Sequence, residues 1–111
     1  MDILVEPVGS VTVVALTGDL DGSTAPQAQS EVLALMGPGC KILLDLTRVD
    51  FMSSAGARLL LLIYRQITHN SGDILLAGLN TEIEDMLSAT GFLDYFKVAT
   101  TVDEGLERLR G

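Results

Sequence analysis

Hydrophobic residues along this chain fall into short clusters whose spacing alternates between two periods. Ile3-Leu4-Val5 and Val11-Thr12-Val13-Val14-Ala15-Leu16 read as strands, with Gly9-Ser10 as the hairpin turn between them. Pro7, near the end of the first, suits an edge strand because it has no N–H to give a ladder. Gly18 to Ser23 reads as a loop. Thr24-Ala25-Pro26-Gln27 then has the form of a helix start, with Thr24 as cap and Gln27 completing a capping box. Ala28, Val32 and Leu35 follow at helical spacing, and Gly37-Pro38-Gly39 stops the helix.

Ile42 to Leu46 is a short, nearly unbroken apolar run, the pattern of a strand buried on both faces. Leu60, Ile63 and Ile67 mark the core face of a second helix that ends near Asn70-Ser71-Gly72. Ile74 to Gly78 repeats the buried-strand pattern. Thr81-Glu82-Ile83-Glu84 predicts a second capping box, with Met86 and Leu87 facing inward and Gly91 ending the helix. Val98-Ala99-Thr100 is a last strand. Thr101-Val102-Asp103-Glu104 predicts a third capping box, leading into a terminal helix carrying Leu106 and Leu109.

The predicted order is β-β-α-β-α-β-α-β-α. A hairpin followed by alternating units implies an α/β fold with a mixed, largely parallel sheet of about five strands and about four helices. The 111 residues suit one domain, residues 1–111, with one real core.

Charge narrows the classes of partner. Fifteen acids against seven bases leave a net charge of −8, and the bases are scattered rather than striped. Such a surface repels nucleic acid and anionic membranes alike. The longest apolar run, Leu59 to Tyr64, is too short to cross a bilayer, and the N-terminus has no signal-like segment. Cys40 is the only cysteine, which excludes an internal disulfide and fits a reducing cytoplasm; it reads as a small buried residue leading into a strand.

Catalytic chemistry finds little support. A single His69 at a predicted helix end cannot anchor a His-rich metal site or a triad. Gly-x-Ser-x-Gly and phosphate-loop patterns are missing, which also argues against nucleotide binding. Asp19, Asp21, Asp45 and Asp50 could converge near strand ends on Mg²⁺, but acids in such turns more often accept nearby backbone N–H groups. The expectation is a protein that is not an enzyme and needs no cofactor.

What stands out is Val49-Asp50-Phe51-Met52-Ser53-Ser54-Ala55-Gly56, where an apolar strand turns through two hydroxyls into a long apolar helix. Negative charge is welcome at a helix N-terminus, so Ser54 reads either as an ordinary cap or as a phosphate acceptor. The stretch resembles the signature of the anti-sigma-factor antagonists, the small stand-alone STAS domains: an aromatic-Met-Asp-Ser-Ser/Thr-Gly turn, then a Leu-rich helix. Leu16-Thr17-Gly18-Asp19-Leu20-Asp21, with Thr24-Ala25 after it, is similar to a second family motif. Leu87-Ser88-Ala89-Thr90-Gly91-Phe92 is similar to a third.

The resemblance covers essentially the whole chain and implies a partner-switching regulator. It places the phosphorylated serine at Ser54, with Ser53 where the motif has Asp, and Asp21 in a loop close to the serine turn. After Gly56 the usual Leu-Gly is Ala57-Arg58. The implied partners are an ATPase-fold serine kinase that doubles as anti-sigma factor and a metal-dependent serine phosphatase. Asp21, Ser53, Gly56, Arg58 and Leu61 are the expected turn and partner-binding residues, with Ser53 as cap, Leu61 outward between two arginines, and Leu62 buried. The alternative is a constitutive STAS subunit of a lipid or anion transport assembly.

Overall fold

The computed structural model describes residues 1–110. Five strands form one sheet in the order β1 (Asp2–Val8), β2 (Val11–Thr17), β3 (Lys41–Arg48), β4 (Asp73–Ala77) and β5 (Lys97–Ala99). β1 runs antiparallel to β2, and every other pair is parallel. The mixed sheet follows from the connections, since a two-residue turn joins only antiparallel neighbours and each parallel pair needs a helical crossover. β1 extends through Pro7, which stands opposite Thr12 on the edge strand where a missing donor is tolerated.

Alternation along the buried strands divides the core between two faces. Val14, Leu16, Ile42, Leu44, Leu46, Ile74 and Leu76 point to one side, where they meet α1 (Ala25–Leu33), α2 (Ser54–His69) and α3 (Thr81–Ala89). Val32, Leu60, Ile63, Ile67, Ile83 and Leu87 supply the helical half of that layer, all buried. On the other side Val11, Val13, Leu43, Leu75, Ala77 and Ala99 are covered by one short helix, α4 (Val102–Arg110), through Leu109. Gly105 helps here: a Cβ there would lie 2.7 Å from a Leu43 methyl and 2.8 Å from a Leu75 methyl, so a larger residue would have to push these side chains aside for α4 to lie this low on the sheet.

The helix starts depart from the sequence pattern in two places. Thr24 precedes α1 without capping it by its side chain, because its hydroxyl turns back to the preceding loop, and Gln27 donates to the Met1 carbonyl instead. α3 is capped by Asn80 rather than Thr81: Asn80 Oδ1 accepts the Ile83 N–H at 2.8 Å while its Nδ2 donates to the Asp50 carbonyl at 3.1 Å. One side chain there satisfies two backbone groups that a threonine could not reach together. At the third predicted box half of the pattern forms: Thr101 Oγ1 accepts from Glu104 N–H, while the Glu104 carboxylate accepts from Thr100 N–H, one residue before the cap.

A short 3-10 helix, Phe92–Tyr95, was not foreseen; it lies beside α2, where Tyr64 meets Tyr95 and Phe96 edge-on. Cys40 is half-buried. Among the described residues no helix is long and apolar enough to cross a membrane.

Candidate functional site

The site is built where β3 runs out. Val49 and Met52 stay buried, which anchors the turn, while Asp50 and Phe51 between them face outward and leave Phe51 53% exposed. The turn is fixed from both flanks. On one side Leu20 forms an isolated parallel bridge with Met52: Leu20 N–H donates to the Phe51 carbonyl and Ser53 N–H donates to the Leu20 carbonyl, both at 2.9 Å. On the other, Asn80 ties the Asp50 carbonyl to the start of α3. Gly56 is required by this packing, since a Cβ would stand 2.4 Å from the Leu20 carbonyl oxygen.

The two serines then separate. Ser53 has extended backbone angles, and its hydroxyl accepts the Gly56 N–H at 3.2 Å, so it is the cap of α2. Ser54 is the first residue of the helix, exposed, and its hydroxyl makes no hydrogen bond among the described residues. Apart from the Ser53 cap, the helix start carries no acid in its first turn, so its dipole is uncompensated by a negative side chain.

Asp21 stands next to Leu20 in the bonded loop and is half-buried. Its Oδ1 accepts from the Ser23 hydroxyl at 2.7 Å, the Ser23 N–H at 2.9 Å and the Thr24 N–H at 3.1 Å. The Ser23 hydroxyl, followed by these N–H groups, holds the Asp21 carboxyl below its ordinary range. The Thr24 hydroxyl completes the knot by accepting the Asp21 N–H and donating to the Asp19 carbonyl. Asp21 therefore shapes the loop that is laced to the serine turn.

Asp45 accepts from the N–H and hydroxyl of Thr47, and the Asp50 side chain is exposed. No cluster of three metal-ligating side chains occurs among the described residues. His69, in the last turn of α2, lies at the opposite end of that helix from Ser54.

Beyond the turn, Ser54, Arg58, Leu61, Leu62 and Arg65 run along one stripe of α2, opposite the buried Leu59, Leu60, Ile63 and Ile67. Arg58, Leu61, Leu62, Arg65 and Phe92 line a shallow hollow of about 300 Å³. Here the two leucines reverse their expected parts: Leu62 is 45% exposed, whereas Leu61 is half-buried. The helix period alone puts Leu61 farther outward than Leu62; both share their hollow with Phe92 of the 3-10 helix. On the other flank Asp50, Phe51, Met52, Glu82, Ile83 and Met86 line a second hollow of about 170 Å³. Phe51 lies outside the expected set of site residues, and Leu62, expected to be buried, is exposed. The signal for Phe51 was its place between two inward residues of an extended turn.

Comparison with known proteins fits this geometry. BtrV of Bordetella bronchiseptica, assigned as an anti-sigma factor antagonist, is 29% identical over 91% of this chain and 88% of its own. The crystal structure of an anti-sigma factor antagonist from Mycobacterium paratuberculosis superposes with a TM-score of 0.89 at 26% identity, covering 99% of this chain and 94% of that one. The phosphorylated form of the Bacillus cell fate determinant SpoIIAA shares the fold at 22% identity and a TM-score of 0.72, covering 98% of this chain and 100% of that one. Transporter chains with this fold are only 15% and 18% identical, so their likeness is one of fold alone. The sequence profile described as the STAS domain matches residues 2–105, and the chain belongs to the STAS domain family.

Proposed function

We propose that the chain is an anti-sigma-factor antagonist in a bacterial partner-switching circuit, with Ser54 as its phosphoacceptor. One observation carries the assignment. The capping duty at the head of α2 falls to Ser53, which leaves Ser54 exposed with an unengaged hydroxyl at the positive end of the helix. The relatives named as antagonists support the same reading.

In this reading an ATPase-fold serine kinase, itself the anti-sigma factor, docks on the surface around Ser54. Phe51 flanks the serine on one side, and Arg58, Leu61 and Leu62 flank it on the other. Gly56, Ser53 and Asp21 hold the turn in shape beneath that surface. Phosphorylation adds about −1.5 to −2 charge, which a helix N-terminus tolerates, so the fold stays and the interface fails. A metal-dependent serine phosphatase restores binding. The protein performs no catalysis of its own and works in the cytoplasm. A constitutive role in a transport assembly has no observation in its favour beyond the shared fold.

Affinity capture from a native lysate with and without Mg-ATP tests this. An ATPase should be retained without nucleotide and released with it, and intact mass should show one phosphate on Ser54. Persistent capture with no added phosphate overturns the assignment.

A further inference from the structure

We propose that Arg58 holds the phosphate of modified Ser54 in cis, as an ion pair within α2. The inference rests on Ser54 being the phosphoacceptor and adds the group that receives its charge. Arg58 stands four residues after Ser54 on the same exposed stripe, a spacing that places Cβ atoms about 5–6 Å apart. Side chains on a helix lean toward its N-terminus, so the guanidinium of Arg58 leans toward Ser54. The order is also the favourable one, with the anion N-terminal to the cation. A guanidinium offers a planar fork that matches two phosphate oxygens.

Nothing competes for Arg58. It is exposed, and among the described residues it forms no ion pair; Lys97–Asp73 is the pair found there. The elements bonded to the turn otherwise bring acids: Asp19 and Asp21 on the loop, Asp50 before the serines, and Glu82 in the first turn of α3. Arg48 lines a hollow with Leu4, Glu6 and Val102 beside α4, on the far face of the sheet. Arg65 lies about 16 Å from Ser54 along the helix axis, by the rise per residue. In a chain of net charge −8, Arg58 is the base positioned to receive the new dianion. It occupies the position where the resembling motif has Gly, so this device belongs to this chain and not to the motif.

The test uses the full chain with phosphoserine genetically encoded at position 54, which needs no kinase. Phosphorus NMR then follows the second ionisation of the phosphate, ordinarily near pH 6. Pairing with Arg58 should lower that midpoint by about 0.3 unit or more relative to Arg58→Gln. Arg58→Lys should recover part of the shift, Arg65→Gln should leave it in place, and added salt should shrink it. Equal midpoints in the parent and Arg58→Gln, or an equal effect from Arg65→Gln, overturn the pair. If the captured ATPase never modifies Ser54, the partner-switching assignment fails, while the encoded phosphoserine still decides the ion pair.

Discussion

The carbonyl oxygen of Leu20 sits so close to Gly56 that a Cβ on Gly56 would approach it to 2.4 Å. Leu20 belongs to the loop after β2 and Gly56 to the first turn of α2, so this approach sets how tightly the loop closes on the serine turn. Gly56→Ala must push one of them away. It should lower stability by about 1–3 kcal/mol, the usual cost of forcing an extra methyl into a packed site. Urea unfolding would show it, and an unchanged midpoint would rule out the close approach.

Ser53 and Ser54 should respond oppositely to alanine. Ser53→Ala removes the acceptor of the Gly56 N–H and should cost about 1 kcal/mol, as lost caps do. Ser54→Ala, on an exposed and unengaged side chain, should stay within about 0.5 kcal/mol of the parent. Yet the Ser54→Ala protein should retain its captured ATPase in Mg-ATP, where the parent lets go. Denaturant midpoints and retention assays on the same two variants separate the cap from the switch.

Along α2 the contrast is between buried and exposed leucine. Leu60→Ala should cost about 2–5 kcal/mol, whereas Arg65→Ala should barely move the unfolding midpoint. Leu62→Asp should leave the circular dichroism spectrum native and weaken ATPase capture. Leu61→Asp, at a half-buried position, should also lower stability. Full-strength capture by Leu62→Asp would remove the hollow from the interface.

Asp21 sets a pH dependence. Its carboxyl is held below the ordinary value of 3.8 by the Ser23 hydroxyl and the Ser23 and Thr24 N–H groups. Its stabilising effect is therefore fully present above that value and is lost as pH falls through the lower folded one. The stability difference between the parent and Asp21→Asn should be constant from pH 7 to about 5 and should shrink below about pH 4. A difference that grows on acidification would mean the bonds favour the protonated acid.

Much of this was legible in the sequence, and each exception has a physical cause. The buried strands and the Leu60–Ile63–Ile67 stripe were visible because periodicity reports burial directly. The caps were less so. Asn80 outcompetes Thr81 because it also reaches the Asp50 carbonyl, thirty residues upstream, which no local pattern records. Thr24 is drawn off its helix by near neighbours instead, Asp19 and Asp21 of the loop before it, which compete with the helix start for its hydroxyl. The 3-10 helix Phe92–Tyr95 is too short to show a period, and its Phe92 lines the hollow that holds Leu61 and Leu62. At the site, sequence pointed to the serine pair, but the hydrogen bond to Gly56 N–H is what tells the two hydroxyls apart.

The double anchoring of the serine turn, by the Leu20–Met52 bridge on one flank and Asn80 on the other, bears on timing. A segment pinned on both sides has no slack to take up when charge is added, so no loop must reorder before a partner senses the change. On the proposed function, the two forms would then differ in potential and not in shape, and the clock of the circuit would be set by kinase and phosphatase turnover and by dissociation of the complex, with no folding step in series.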